Sequence, residues 1–278
     1  MTPRRKTLTE QHGIAGFTLV EMIVSIVVAG VLLALVGMFG RWQIQSYFDL
    51  SSRAALTDAA DTAVRRISRE LQTALPNSVR ASGNYLEYIP IKDAGRYRAE
   101  SDGSGSVFPL DFGSTASASK FDVLGPTVAI ASGDQVVVYN LGLPGSDAYA
   151  GAPNNRRTPS TTGAALSQVE SAAAFAFPYA SPANRFQVVG NPVTFECDPG
   201  AGVIRRSSGY GFLPSQPVAA ATMAAGSSAL LVAQVAACSF AYEPGASQRN
   251  GIVTVRLSLS ANDETVQVLN QVEILNTP

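Results

Sequence analysis

Hydrophobic and polar positions divide the chain into three patterns. From Phe17 to Gly40 the string FTLVEMIVSIVVAGVLLALVGMFG is apolar all round and holds one charge, Glu21; the next cation is Arg41. A helix of that length rises about 36 Å, enough to cross a hydrocarbon core of about 30 Å. Beyond Leu50 the pattern turns one-sided. Leu56, Ala60, Ala63, Val64, Ile67, Leu71 and Leu75 recur at spacings of three and four, while Arg53, Asp58, Asp61, Arg65, Arg66, Arg69 and Glu70 fall largely elsewhere around the axis. No proline occurs between Phe17 and Leu75, and Pro76-Asn77 stops the run, so the pattern predicts one helix from Phe17 to about Leu75. Its first half suits a membrane and its second half suits the core of a globular domain.

After Pro76 the pattern is that of short strands and loops. Residues 85–91, 135–139, 185–189, 192–195 and 202–205 are enriched in β-branched and aromatic side chains. The C-terminus gives a clearer signal: Ser239–Tyr242 and Ile252–Leu259 flank Arg249-Asn250-Gly251, and Glu264–Ile274 comes after Ala261-Asn262-Asp263. This predicts an antiparallel meander with tight turns. Segments 101–119 and 143–163, rich in Ser, Gly, Ala, Pro and Asn, read as exposed loops. The fold class expected is α+β, with the second half of the long helix packed on a C-terminal antiparallel sheet.

Composition explains itself once the helix is placed. Of 278 residues, 46% are hydrophobic and only 15% charged, against roughly 25% charged in an ordinary soluble domain. The formal net charge is -1, which argues against a surface that binds nucleic acid by neutralising phosphates. Two cysteines and one histidine supply no zinc cluster.

Residues 1–16 carry Arg4, Arg5 and Lys6 against Glu10. The positive-inside rule keeps this leader cytoplasmic and exports the chain beyond Arg41, with Arg41, Trp42, Tyr47 and Phe48 at the interface. A cleaved secretory signal would have a shorter apolar run, about 7–15 residues, and a small-x-small site after it. A plain signal-anchor helix satisfies the composition equally well, but it has no use for Glu21. A carboxylate inside an apolar helix costs a few kcal/mol on insertion and calls for a partner.

The string Gly16-Phe17-Thr18-Leu19-Val20-Glu21 behind a short basic leader resembles the type IV pilin (prepilin) signal. The resemblance implies cleavage between Gly16 and Phe17 by a prepilin peptidase that also acts as N-methyltransferase, methylation of the new Phe17 amine, and pairing of Glu21 with that amine on a neighbouring subunit. The helix exit from Ser52 to Asp61, continuing through Arg65-Arg66 to Arg80, together with Phe195–Pro199, Ala237–Tyr242 and Gln248–Gly251, is similar to the MshO group of minor pilin-like proteins. These belong to mannose-sensitive haemagglutinin (MSHA) type IV pilus biogenesis systems of Gram-negative bacteria. The implied organisation is a cleaved leader over 1–16, a transmembrane and assembly helix over 17–40, an amphipathic continuation over 41–75, and an exported β-rich domain over 76–278. The implied partners are the peptidase, other major and minor pilins, and the inner-membrane assembly platform. The implied location is a single inner-membrane pass with the C-terminal domain periplasmic, passing into an extracellular pilus. A minor pseudopilin of a type II secretion system shares the same helix and signal. A pilus-tip adhesin or DNA-uptake pilin is a further alternative, although segments 101–119 and 143–163 show neither a basic-aromatic cluster nor a sugar-binding aromatic pair.

Export to an oxidising compartment predicts that Cys197 and Cys238 pair, closing a loop of about 40 residues worth roughly 3–4 kcal/mol. A reactive thiol at either position lacks a nearby His or Lys to lower its pKa. His12 lies in the leader, so the processed chain carries no histidine for a triad or a metal, and neither an enzyme nor a cofactor is expected. Asp102-Gly103-Ser104-Gly105 lacks the further carboxylates of a calcium loop, and Ser207-Ser208-Gly209 has no catalytic partners. The pairs Arg65-Arg66 and Arg156-Arg157 read as solvated or engaged with acids.

Overall fold

The computed structural model describes residues 16–113, 116–152, 154–245 and 250–277, apart from the side chains of residues 40–45. Leader residues 1–15 with His12, the interfacial side chains of Arg41 and Trp42, and Arg249 of the expected turn lie outside the described residues. The chain forms two compact units, residues up to Ser51 and residues from Ser52 onward. Helix α1 (Leu19–Leu71) contributes to both.

The first unit is helical from Leu19. Its large apolar side chains are exposed, Ile23, Val27, Leu33 and Phe39 each by more than half. In the second unit the remainder of α1 buries the predicted stripe: Leu56, Ala60, Ala63, Val64, Ile67 and Leu71 all enter one core cluster.

The helix stops four residues before Leu75. Thr73 and Ala74 donate back to the carbonyls of Glu70 and Leu71, a tightened last turn. Beyond it the backbone turns to pair elsewhere: Leu75 N–H donates to Ile89 O at 2.7 Å, and Ile91 N–H donates to Thr73 O at 2.8 Å.

The same crossing divides the expected strand 85–91. β1 (Arg80–Ser82) and β2 (Tyr85–Tyr88) belong to one sheet, whereas β3 (Ile91–Tyr97) starts another. Pro90 separates them because it offers no ladder donor. Strand 135–139 is also cut short. The segments β4 (Lys120–Leu124), β5 (Val128–Ile130) and β6 (Gln135–Val137) come in order, and Tyr139 at φ 54° turns the chain out of the ladder.

Next come β7 (Arg156–Arg157), β8 (Gly163–Leu166), β9 (Gln168–Glu170) and β10 (Arg185–Val189). The chain then returns through β11 (Val193–Asp198), β12 (Val203–Ser208), β13 (Ser227–Ala233), β14 (Val235–Glu243), β15 (Gly251–Ala261) and β16 (Glu264–Ile274). Three sheets and a ribbon result: β1-β2-β11-β12-β13, β7-β6-β10-β3-β4-β9, β14-β15-β16, and β5-β8.

The five- and three-stranded sheets share the helix core, with Leu86, Phe195, Ile204, Phe240, Val255 and Leu257 packed in the same cluster as the α1 stripe. Strands β3 to β10 form a continuous excursion with a second core of Tyr97, Phe121, Phe175, Phe177 and Phe186. Phe121 meets Phe175 and Phe186 edge-on, with centroids 5.1 Å apart in each pair. Gly95 is required there, since a Cβ at that position would lie 2.8 Å from the Phe186 ring. The excursion is closed at its base by Gly190 N–H donating to Pro90 O at 3.0 Å.

Two expectations about loops and turns are corrected. Segment 143–163 is not an exposed loop: Ser146, Ala148, Tyr149, Asn154 and Asn155 are buried, and β7 lies within it. Asn140 makes this burial tolerable by satisfying backbone groups. Its Nδ2 donates to Pro76 O at 2.7 Å, and its Oδ1 accepts from Ala148 N–H at 2.9 Å and Asn155 Nδ2 at 3.1 Å. Segment 101–119 is exposed around Ser101–Ser106 but buries Leu110.

Asn250-Gly251 is not a two-residue turn, because Gly251 already pairs with Ile274 and the preceding strand ends at Glu243, opposite Ile252. The turn expected at Ala261-Asn262-Asp263 is tight, with Asn262 and Asp263 at φ 51° and 63° between paired Ala261 and Glu264.

Candidate functional site

The N-terminal candidate residues lie together where the helix begins. Gly16, Phe17 and Thr18 precede it in non-helical conformation, and Phe17 is 77% exposed. Thr18 caps the helix: its Oγ1 accepts the Glu21 N–H at 3.3 Å, and its carbonyl accepts the Met22 N–H at 3.1 Å. Thr18-Leu19-Val20-Glu21 therefore has the spacing of a capping box, a T-x-x-E signal that fixes the first helical turn immediately after Phe17. Glu21 sits in that first turn, where the helix dipole favours a carboxylate. Its side chain is exposed and directed away from any core, and Ser25 Oγ donates to its carbonyl at 2.7 Å.

Around and beyond Glu21 runs a 21-residue apolar span, Leu19–Phe39, with no residue buried. A contiguous apolar surface of this size is incompatible with free exposure to water. The span has the length needed for a bilayer or a bundle of like helices.

The cysteines belong to the second unit. Cys197 on β11 and Cys238 on β14 are joined as a disulfide with Cα atoms 6.1 Å apart. The bond links the five-stranded sheet to the three-stranded one. Phe240 N–H, donating to Gly83 O at 3.1 Å, reinforces the same junction.

Two polar networks have no counterpart in the sequence reading. Glu70 sits where the helix meets β2 and β12: its carboxylate accepts from Tyr88 Oη at 2.6 Å, Arg206 Nε at 2.8 Å and Arg66 Nε at 3.1 Å. Partial burial pushes this carboxyl up, but the hydrogen bonds from Tyr88 and Arg206, with the Arg206 charge, outweigh it and hold it below the ordinary value. Tyr88 is pushed up, first by burial and then by its bond to Glu70.

The second network surrounds Glu87, which is fully buried. Arg80 pairs with it at 2.5 Å and Tyr210 donates to it at 2.8 Å. Burial nevertheless dominates and raises the Glu87 carboxyl. The local string Tyr-Leu-Glu-Tyr does not mark Glu87 as buried; the chain around Tyr210–Gln216 covers it. Tyr210, which donates to Glu87, lies 123 residues further along the chain, so no local signal marks that partner.

The two arginine pairs differ. Arg65 bonds Asp61 and Arg66 bonds Glu70, as acid-engaged surface residues. Arg156 and Arg157 depart from the expectation: Arg156 stacks 3.8 Å over Phe212, and Arg157 donates to Asn154 O and Ala176 O. Asp102 accepts from Ser104 N–H and Oγ in an exposed turn. Among the described residues no group of three or more His, Cys, Asp or Glu side chains converges on a metal-sized site.

Residues 12–37 match the family model described as the prokaryotic N-terminal methylation motif. That match covers the leader end, the Gly16-Phe17 junction, Glu21 and most of the apolar span. It supports a type IV pilin-like N-terminus, of the kind processed by prepilin peptidase and associated with membranes, in a structural protein. No curated protein and no solved structure matches the chain.

Proposed function

We propose that the chain is an MshO-like minor pilin of an MSHA-type pilus, cut between Gly16 and Phe17, N-methylated on Phe17, and assembled through its apolar helix. One observation carries this reading: the methylation-motif match over residues 12–37 coincides with a capped helix start and an unburied 21-residue apolar span. A peptidase acting at Gly16-Phe17 needs that bond accessible, and residues 16–18 lie outside the helix. Glu21, one helical turn beyond Thr18, then offers a carboxylate to the Phe17 amine of a neighbour, at close range in a medium of low dielectric. The disulfide-closed sheets and the β3–β10 excursion form the exported part, and the chain's own chemistry is that of a substrate of processing.

Intact mass of the protein purified from a membrane that contains prepilin peptidase tests the reading. It should begin at N-methyl-Phe17, and Gly16→Trp should retain the leader. Normal cleavage of Gly16→Trp would overturn it.

A further inference from the structure

Strands β3 and β10 set two arginines side by side. Arg96 and Arg185 are directly opposite in the antiparallel ladder, so both belong to one face of the six-stranded sheet, with Cβ atoms about 5 Å apart. Both are exposed. Neither enters an ion pair or lies over an aromatic ring among the described residues, whereas Arg98, two positions along β3 from Arg96, is paired with Asp122 at 3.0 Å. Like charges at directly opposite positions repel, so the pair works against the sheet that carries it.

The same face holds an unpaired acceptor. Gln187 follows Arg185 by two positions on β10 and stands opposite Ala94, about 7 Å along the strand from the arginines. It is only 8% exposed, and its Oε1 has no hydrogen-bond partner among the described residues. A buried acceptor left in this state calls for a donor. Ala94 is exposed and brings only a methyl group to the space beside Gln187, and half-buried Leu124, opposite Arg96 on β4, gives the face an apolar edge. The other face of these strands is closed, with Phe186 buried in the aromatic core.

We propose that this face binds an acidic saccharide of the uronic acid class. The two guanidinium groups take the sugar carboxylate, for which their planar forks are suited, and a hydroxyl across the same ring donates to Gln187 Oε1. The ring carbons lie against Leu124. The combination of groups selects the ligand: a bare anion brings no donor for Gln187, and a neutral sugar leaves the arginines unpaired. An aspartate or glutamate side chain of a protein carries its carboxylate on methylene groups that have nothing to donate. The inference stands apart from the pilin-like reading, since every residue it uses lies in the second unit.

The test uses the full-length chain in detergent, with oligogalacturonate as the probe and oligogalactose, polyglutamate and inorganic phosphate as controls. Oligogalacturonate should bind, and each control at least tenfold more weakly. R96A/R185A should weaken binding at least tenfold. R96K/R185K, which keeps the charges and so the surroundings of the folded sheet, should still weaken it at least threefold through loss of the forked geometry, and decides the matter if the alanine pair fails to fold. Gln187→Leu should weaken binding at least threefold while the midpoint of thermal unfolding stays level or rises, because it removes an unpaired buried acceptor; a merely structural glutamine would lose both together. Absence of binding, or binding that ignores the arginine replacements, overturns the site. Polyglutamate or phosphate bound as tightly, or Gln187→Leu without effect on affinity, overturns the saccharide assignment and leaves an arginine pair that attracts any anion.

Discussion

Arg206 Nε donates to the Glu70 carboxylate at 2.8 Å, tying the last turn of the helix to β12 across 136 residues of sequence. The Tyr88 hydroxyl, donating to the same carboxylate, brings β2 into the contact. The helix is thus fastened to its sheet by one acid at the end of an otherwise apolar stripe.

Because the Glu70 carboxyl is held below its ordinary value, the folded state binds its proton less readily than the unfolded chain. Its contribution to stability is complete above the ordinary value and is lost as pH falls through the lowered folded one. Glu70→Gln should flatten this acid-side loss. At pH 7 it should cost about 1–3 kcal/mol, since Arg206 is left without its charged partner. Thermal unfolding of the second unit between pH 3 and 7 measures both effects, and an unchanged acid limb would contradict the assignment.

Removing the disulfide with Cys197→Ala and Cys238→Ala should lower stability by roughly 3–4 kcal/mol, the loop-closure value for about 40 residues. Denaturant titration of the double variant, beside the unaltered protein with and without reductant, gives the number. Equal midpoints with and without reductant would show that the link between β11 and β14 carries no stability.

Asn140→Ala should loosen residues 143–155 specifically. It strands Pro76 O, Ala148 N–H and Asn155 Nδ2, each costing about 1–3 kcal/mol if it stays buried. Hydrogen exchange should rise at Ala148 and Tyr149 well before it rises in β15. Uniform protection across both regions would argue against this role.

Gly251→Ala places a Cβ 2.8 Å from the Tyr242 ring and from Asn276 Nδ2. Overpacking of this kind costs about 1–3 kcal/mol. Removing one of the two obstacles with Tyr242→Ala in the same chain should lower the cost of the added methyl, which a double-mutant cycle in urea can read.

Glu21→Val should remain in the membrane, since it lengthens the apolar run, yet enter assembled fibres poorly. Membrane fractionation and pilus shearing, compared on the same cells, separate the two behaviours. Undiminished incorporation would remove the proposed pairing with the Phe17 amine.

Features that repeat at short range were legible in the sequence alone. Periodicity placed the buried stripe from Leu56 to Leu71, alternation placed β15 and β16, and the Gly16-to-Glu21 string with its apolar run matched a methylation motif. Each of these depends on residues within a few turns or a few strand positions of one another. Features that depend on distant neighbours emerged only from the folded chain. Residues 85–91 read as one strand, and only the pairing of residues 73–75 with 89–91 assigned β2 and β3 to different sheets. Segment 143–163 had the composition of a surface loop, and its burial required Asn140 Oδ1 and the carbonyl of Ser78 to satisfy its polar groups. Glu87 and Glu70 alternate or recur like solvent-facing acids, and their partners Arg80, Tyr210, Tyr88 and Arg206 come from other strands and from a long connection. A hydrophobic pattern records which side of a segment is dry. It does not record which remote donor makes a polar side chain tolerable there, and that is where the fold added information the sequence pattern lacked.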